Sequence, residues 1–195
     1  MDQHHHLAPA PLGISRLVAA GTIDAELAAL LWILVEGGVP VLVCGPEADT
    51  DLGSIASGLT EAAPKRDLAD RPGRKPGTTL RAGSLKEAFA LLAAEPFNLS
   101  DDEQRALGLV LIVRGGRAVA VHYVRPVERD KEGHLQRRPP AVLATWDQDR
   151  GTFEHFAWAM APELAARIGT TQAQLEDLQR ERIHTLSHVI SAHVH

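Results

Sequence analysis

Ten histidines, one cysteine and a loop of small and acidic residues after a valine run are the groups in this 195-residue chain that could do chemistry. His184 and His188 lie four apart on a predicted helix, the spacing of two metal ligands on one face. His193 and His195 follow, and Glu181 is the one carboxylate close by in sequence. No cysteine or flanking acidic pattern completes a site. The expectation is no dedicated metal centre, with at most adventitious zinc or nickel at His184 and His188. His122, between Val121 and Tyr123 on a predicted strand, reads as a sheet histidine rather than a catalytic base. Cys44 ends an apolar run just before Gly45. A thiol nucleophile there needs a histidine to activate it, and the sequence singles none out, so Cys44 reads as core. Neither a G-x-S-x-G elbow nor a C-x-x-C pair occurs.

The elements around these groups follow from hydrophobic period and punctuation. In GTIDAELAALLWILVEGG, Leu27, Leu30, Leu31 and Leu34 share one helical face. Asp24 and Glu26 suit its first turn, and Gly37-Gly38 stop it. VPVLVC is short, continuous and valine-rich, as a strand buried on both faces would be. GPEADTD is a turn, and LGSIASGLTEAA a second helix on Leu52, Ile55, Ala56 and Leu59. PKRDLADRPGRKPG, with Lys65, Arg66, Arg71, Arg74 and Lys75 among three prolines and two glycines, reads as an exposed linker. TTLRA is a possible strand. Ser84 with Glu87, and Ser100 with Glu103, form capping boxes for two helices.

Thereafter the period changes to two. LGLVLIVR and RAVAVHYV around Gly115-Gly116 predict a hairpin with a left-handed two-residue turn. PAVLATW and TFEHFAW predict a second, with Trp146, Phe153, Phe156 and Trp158 covering one face of its sheet or forming a docking surface. Between them RPVERDKEGHLQRRPP reads as a polar loop. Its mixed signs favour a salt-bridged surface or a protein partner over a nucleic-acid track. Pro162 opens a short helix, and Thr171 with Gln174 caps a longer C-terminal one.

Composition bounds the rest. With 45% apolar residues the chain can bury a core, and its apolar runs fall short of the roughly 18 residues that span a bilayer. Twenty-five acidic against 20 basic residues leave a net charge of -5, so no global positive field draws nucleic acid or anionic lipid. One cysteine fits a reducing compartment, and the start, MDQHHHLAPAPLG, lacks the basic and apolar regions of a secretory signal. A cytoplasmic protein is expected, with a flexible leader over 1–13, an α/β domain over 14–160 and a helical extension over 161–195.

GTIDAELAALLWILVEGGVPVLVCGP resembles the segment that leads into the phosphate loop of type II/type IV secretion ATPases, the hexameric motors of pili and secretion systems. TTLRAGSLKEAFALL is similar to that family's histidine-box strand and following helix. LGLVLIVRGGRAVAVHYV is similar to the sheet that ends its catalytic domain. The resemblance spans most of residues 14 to 125. It implies an α/β fold: a reduced P-loop NTPase-like core with a mixed sheet, a β-hairpin lobe and a C-terminal helix.

It also implies a phosphate site, and there the sequence departs from the family. A working loop reads G-x-x-x-x-G-K-[ST]; from Gly45 and Pro46 onward, the last three positions hold Thr50, Asp51 and Leu52. A carboxylate stands where the lysine should meet the phosphates. Two like unit charges 4 Å apart repel by about 4 kcal/mol at an effective dielectric of 20. Moving the register by one residue places Asp49 there instead. The acidic strand that should separate the loop from the histidine box is missing, and Arg81 replaces the box histidine. The expectation is a protein that no longer hydrolyses ATP and needs no cofactor, acting as an accessory or interaction protein or persisting as a remnant. Its partners would be proteins or further copies of itself. The alternative is a nucleotide-binding ATPase subunit of a secretion or pilus system, holding ATP and magnesium around Gly45, Pro46, Thr50, Asp51 and Arg81.

Overall fold

The computed structural model describes residues 10–48, 50–63 and 78–193, the last five of these by backbone alone. Helices α1 (Leu12–Ala19) and α2 (Ala25–Glu36) come first, then strand β1 (Val41–Cys44), α3 (Leu52–Thr60) and β2 (Thr78–Leu80). Next are α4 (Leu85–Ala93), α5 (Asp101–Gln104), β3 (Leu109–Arg114) and β4 (Arg117–Tyr123). Two short strands, β5 (Glu128–Arg129) and β6 (Leu135–Gln136), precede β7 (Ala141–Asp147) and β8 (Thr152–His155). A 3-10 turn (Ala157–Met160) leads into α6 (Ala161–Arg167) and α7 (Gln172–His193).

Six strands make one mixed sheet in the order β2-β1-β3-β4-β7-β8. β1 is parallel to β2 and to β3, and every other neighbouring pair is antiparallel. As a valine-rich run flanked on both sides should be, β1 is buried throughout. Its alternate side chains serve two cores. Val41 and Val43 join Leu52, Ile55 and Leu59 of α3, whereas Leu42 and Cys44 join Ala88 and Leu92 of α4. The chain therefore leaves β1 over one face, returns from β2 to β3 over the other, and reverses its strand order at β1. In open α/β sheets that is where ligand crevices form.

The β3–β4 hairpin turns through Gly115 and Gly116 with φ of +53° and +76°, the left-handed pair that a two-residue hairpin requires. Helix α2 differs from the amphipathic expectation. Every residue from Leu27 to Val35 is buried, because α7 covers the side that the sheet does not. Arg182 of α7 lies 3.8 Å from the Trp32 ring centroid and pairs with Glu36 at 3.0 Å. Leu164, Leu175 and Leu186 from α6 and α7 belong to the same core as α1 to α3. Helix α1 begins at Leu12, inside the stretch read as a leader, and meets α3 through two glycines. A Cβ on Gly13 would lie 2.5 Å from Gly58 Cα.

Two further expectations change. The polar segment between the hairpins contains the β5–β6 pair. Strand β8 stops at His155, so the four aromatics do not cover one sheet face. Trp146 and Phe153 stack edge to face across β7 and β8 at 5.0 Å, while Phe156 and Trp158 follow the strand and are exposed. The basic linker 64–77 lies outside the described residues.

Candidate functional site

The loop after β1 begins at Gly45, whose amide donates to the Leu80 carbonyl of β2 at 3.2 Å. Only glycine fits there. An added Cβ would stand 2.9 Å from Leu52 Cδ2 and 3.0 Å from the Val113 carbonyl oxygen. Pro46 is exposed beside Gly83. At the far end of the loop Asp51 is the N-cap of α3. Its carboxylate accepts the Ser54 amide at 3.0 Å and the Ser54 hydroxyl. Those hydrogen bonds hold the acid below the usual carboxylate range.

Arg81 follows β2 directly and reaches back across the sheet end. Its guanidinium donates to the Glu47 carbonyl and, at 3.1 Å, to the Ala48 carbonyl. The resulting hollow, about 370 Å3, is lined by Thr50, Asp51, Leu52, Thr79 and Arg81 among others. Three of the residues singled out in the sequence thus meet in one place: Thr50 and Asp51 at the start of α3, and Arg81, 30 positions beyond Asp51, after β2.

Two charged groups of this hollow, Asp51 and Arg81, are already bonded within the chain. An α-helix N-terminus carries unpaired amides that bind anions, and here the chain's own carboxylate takes that role. Among the described lining residues the one cation, Arg81, donates to loop carbonyls. Glu47 Oε2 is shielded from solvent without a hydrogen-bond partner among the described residues, which adds a second acid to the loop.

Cys44 is fully buried, and burial followed by the nearby Glu87 charge pushes its thiol up to about 12. It is core, not nucleophile. Burial likewise lowers the pKa of His122, which favours the neutral ring. His184 and His188 set their Nε2 atoms 3.1 Å apart with rings edge to face on exposed α7. Among the described residues no third metal-ligating side chain joins them.

Asp130, Glu132 and His134 on the β5–β6 turn place donor atoms within 4.8 Å of one another. Asp130 is already spent on the turn: Oδ1 accepts the amides of Glu132 and His134, and Oδ2 accepts Gln136 Nε2. Around it, Arg137 grips Asp102 with two bonds at 2.9 and 3.1 Å. Arg125 and Arg138 share Glu163 at 3.0 and 2.6 Å. The mixed-charge segment is a salt-bridged surface.

Sequence reasoning did not find the pairing of His155 with Asp24. Nε2 of His155 lies 2.9 Å from Asp24 Oδ2, and Nδ1 lies 3.8 Å from Glu26 Oε1. The Asp24 bond raises the histidine pKa against the opposing effect of burial. Burial pushes Asp24 up, but the His155 bond and the Leu27 amide outweigh it and leave the acid lowered. Asp24 also caps α2 through the Leu27 amide at 2.9 Å. The sequence pattern places it in the first turn of α2, one position inside its actual N-cap place, and a partner 131 residues away was not legible.

Among the described residues, no helix is long and apolar enough to cross a membrane. No protein-family model matches the chain, and no curated protein is significantly similar to it.

Proposed function

We propose that this chain is a degenerate relative of the secretion ATPases, with a reduced P-loop-like core, that acts by binding other proteins and not by hydrolysing ATP. The element order supports the relationship: a buried helix, a buried parallel strand, a loop at the strand's carboxyl end and a helix on one face of the sheet. The observation that carries the functional reading is Asp51. Its carboxylate accepts the Ser54 amide at the N-terminus of α3, at the position that the resemblance assigns to the lysine of a phosphate loop. An incoming triphosphate would have to displace that acid and overcome its charge, and among the described residues lining the hollow the one cation, Arg81, is already bonded to loop carbonyls.

The hollow bounded by Thr50, Asp51 and Arg81 favours a second reading, a subunit that still holds nucleotide. Thermal denaturation with and without millimolar Mg-ATP separates the two. A ligand at a hundred times its Kd adds about 2.7 kcal/mol, worth about 2–4 °C per kcal/mol in a chain of this size. No displacement of Tm is expected. A rise of several degrees would overturn the first reading in favour of the second.

A further inference from the structure

A second hollow, about 220 Å3, lies where the end of β8 meets α2, α6 and α7. Leu30, Leu164 and Leu175 form an apolar floor, and Glu26, Glu176 and Trp158 stand around it. Trp158 is 77% exposed, unusual for the residue type that most often anchors interfaces. The other two tryptophans each carry an arginine on the ring, Arg117 at 4.0 Å from Trp146 and Arg182 at 3.8 Å from Trp32. Among the described residues no such cation covers Trp158.

The charges point the same way. Of the described residues lining the hollow, none is lysine or arginine. His155 is its one basic group and is already matched by Asp24 at 2.9 Å. Glu26 and Glu176 therefore leave an excess of negative charge beside an uncovered indole. Gln172 Nε2 donates to Glu176 Oε1 at 2.8 Å, and among the described residues no cation pairs with this carboxylate.

We propose that this hollow binds an arginine side chain presented by a partner protein. A guanidinium is planar, weakly hydrated and able to stack on an indole while its fork meets carboxylates. Its methylene stem would lie along the leucine floor, as long basic side chains do on apolar surface. The hollow shares no lining residue with the Thr50–Arg81 cavity, so the site stands whether or not the loop holds nucleotide.

The test is a titration of the full 15N-labelled chain with N-acetyl-arginine methylamide, alongside the neutral isostere N-acetyl-citrulline methylamide. The Trp158 indole resonance, identified by its loss in Trp158→Ala, should shift saturably with the arginine probe and hardly at all with citrulline. Glu176→Gln, an exposed change that leaves the core intact, should weaken binding about threefold, the scale of one exposed charge pair. Equal shifts with both probes would overturn the proposal by showing an apolar slot that does not read charge. So would an unmoved Trp158 resonance at about 50 mM probe, well above the millimolar Kd expected of one side chain.

Discussion

Asp51 and Ser54 form a closed pair at the start of α3: the carboxylate of one accepts both the amide, at 3.0 Å, and the hydroxyl of the other. A residue that would repel a phosphate thereby stabilises the helix that a phosphate loop would otherwise present. Both effects would come from the same oxygen atoms. Asp51→Ala should therefore lower stability by about 0.5–2 kcal/mol, the usual cost of removing an N-cap. Asp51→Ser should recover most of it, which chemical denaturation of both variants would measure.

Recreating the motif separates binding from turnover. Thr50→Gly, Asp51→Lys, Leu52→Thr supplies backbone room, a cation and a magnesium hydroxyl in one chain. Leu52 is buried against Gly45, so the swap should cost about 1–3 kcal/mol on top of the lost cap. Isothermal titration should detect ATP binding in this variant, while a phosphate-release assay stays at background. Positioning the attacking water needs the acidic strand of the secretion ATPases, which is not legible in the sequence between the loop and Arg81. Turnover above background would show that a catalytic carboxylate survives elsewhere.

Glycine substitutions should divide by packing and not by helix propensity. Gly13→Ala drives its Cβ to 2.5 Å from the Gly58 Cα, a backbone atom that cannot swing away. Overpacking of that kind costs about 1–3 kcal/mol. At Gly53 the nearest atom is Asp51 Oδ1 at 3.3 Å, so Gly53→Ala should stay within about 0.5 kcal/mol of the parent, as ordinary surface changes do. Paired urea titrations check the contrast.

Cys44 should be inert in the folded protein. With its thiol pushed up to about 12 and its side chain buried, a thiol reagent at about pH 8 should label it only after denaturant is added. Rapid stoichiometric labelling of native protein would mean that β1 opens readily.

The His155–Asp24 pair should make stability depend on pH. A histidine whose folded pKa is raised contributes fully below its ordinary 6.5 and loses that contribution as pH climbs through the folded value. A lowered Asp24 contributes above its ordinary 3.8 and loses it as pH falls through the folded value. The pair is therefore strongest between those two limits. The Tm deficit of His155→Gln relative to the parent should be largest near pH 6 and shrink toward pH 9. A deficit independent of pH would assign the effect to packing alone.

Local signals were enough to locate α2, β1, α3 and the first hairpin, because each is set by residues a few positions apart. The leucine period, the acidic start at Asp24 and Glu26 and the Gly37-Gly38 stop mark α2, the valine run marks β1, and two glycines mark the turn. The departure of Thr50, Asp51 and Leu52 from a phosphate-loop pattern is likewise local, since the three are consecutive. What only the tertiary structure decided depends on pairs far apart in the chain. Whether α2 is buried on one side or all round depends on α7, which sequence periodicity in α2 does not encode. Arg81 turned to the carbonyls of Glu47 and Ala48, and His155 to Asp24, because sheet order brought their strand ends to those loops. Trp158 became an exposed wall instead of a sheet residue because β8 ends three positions earlier, at His155.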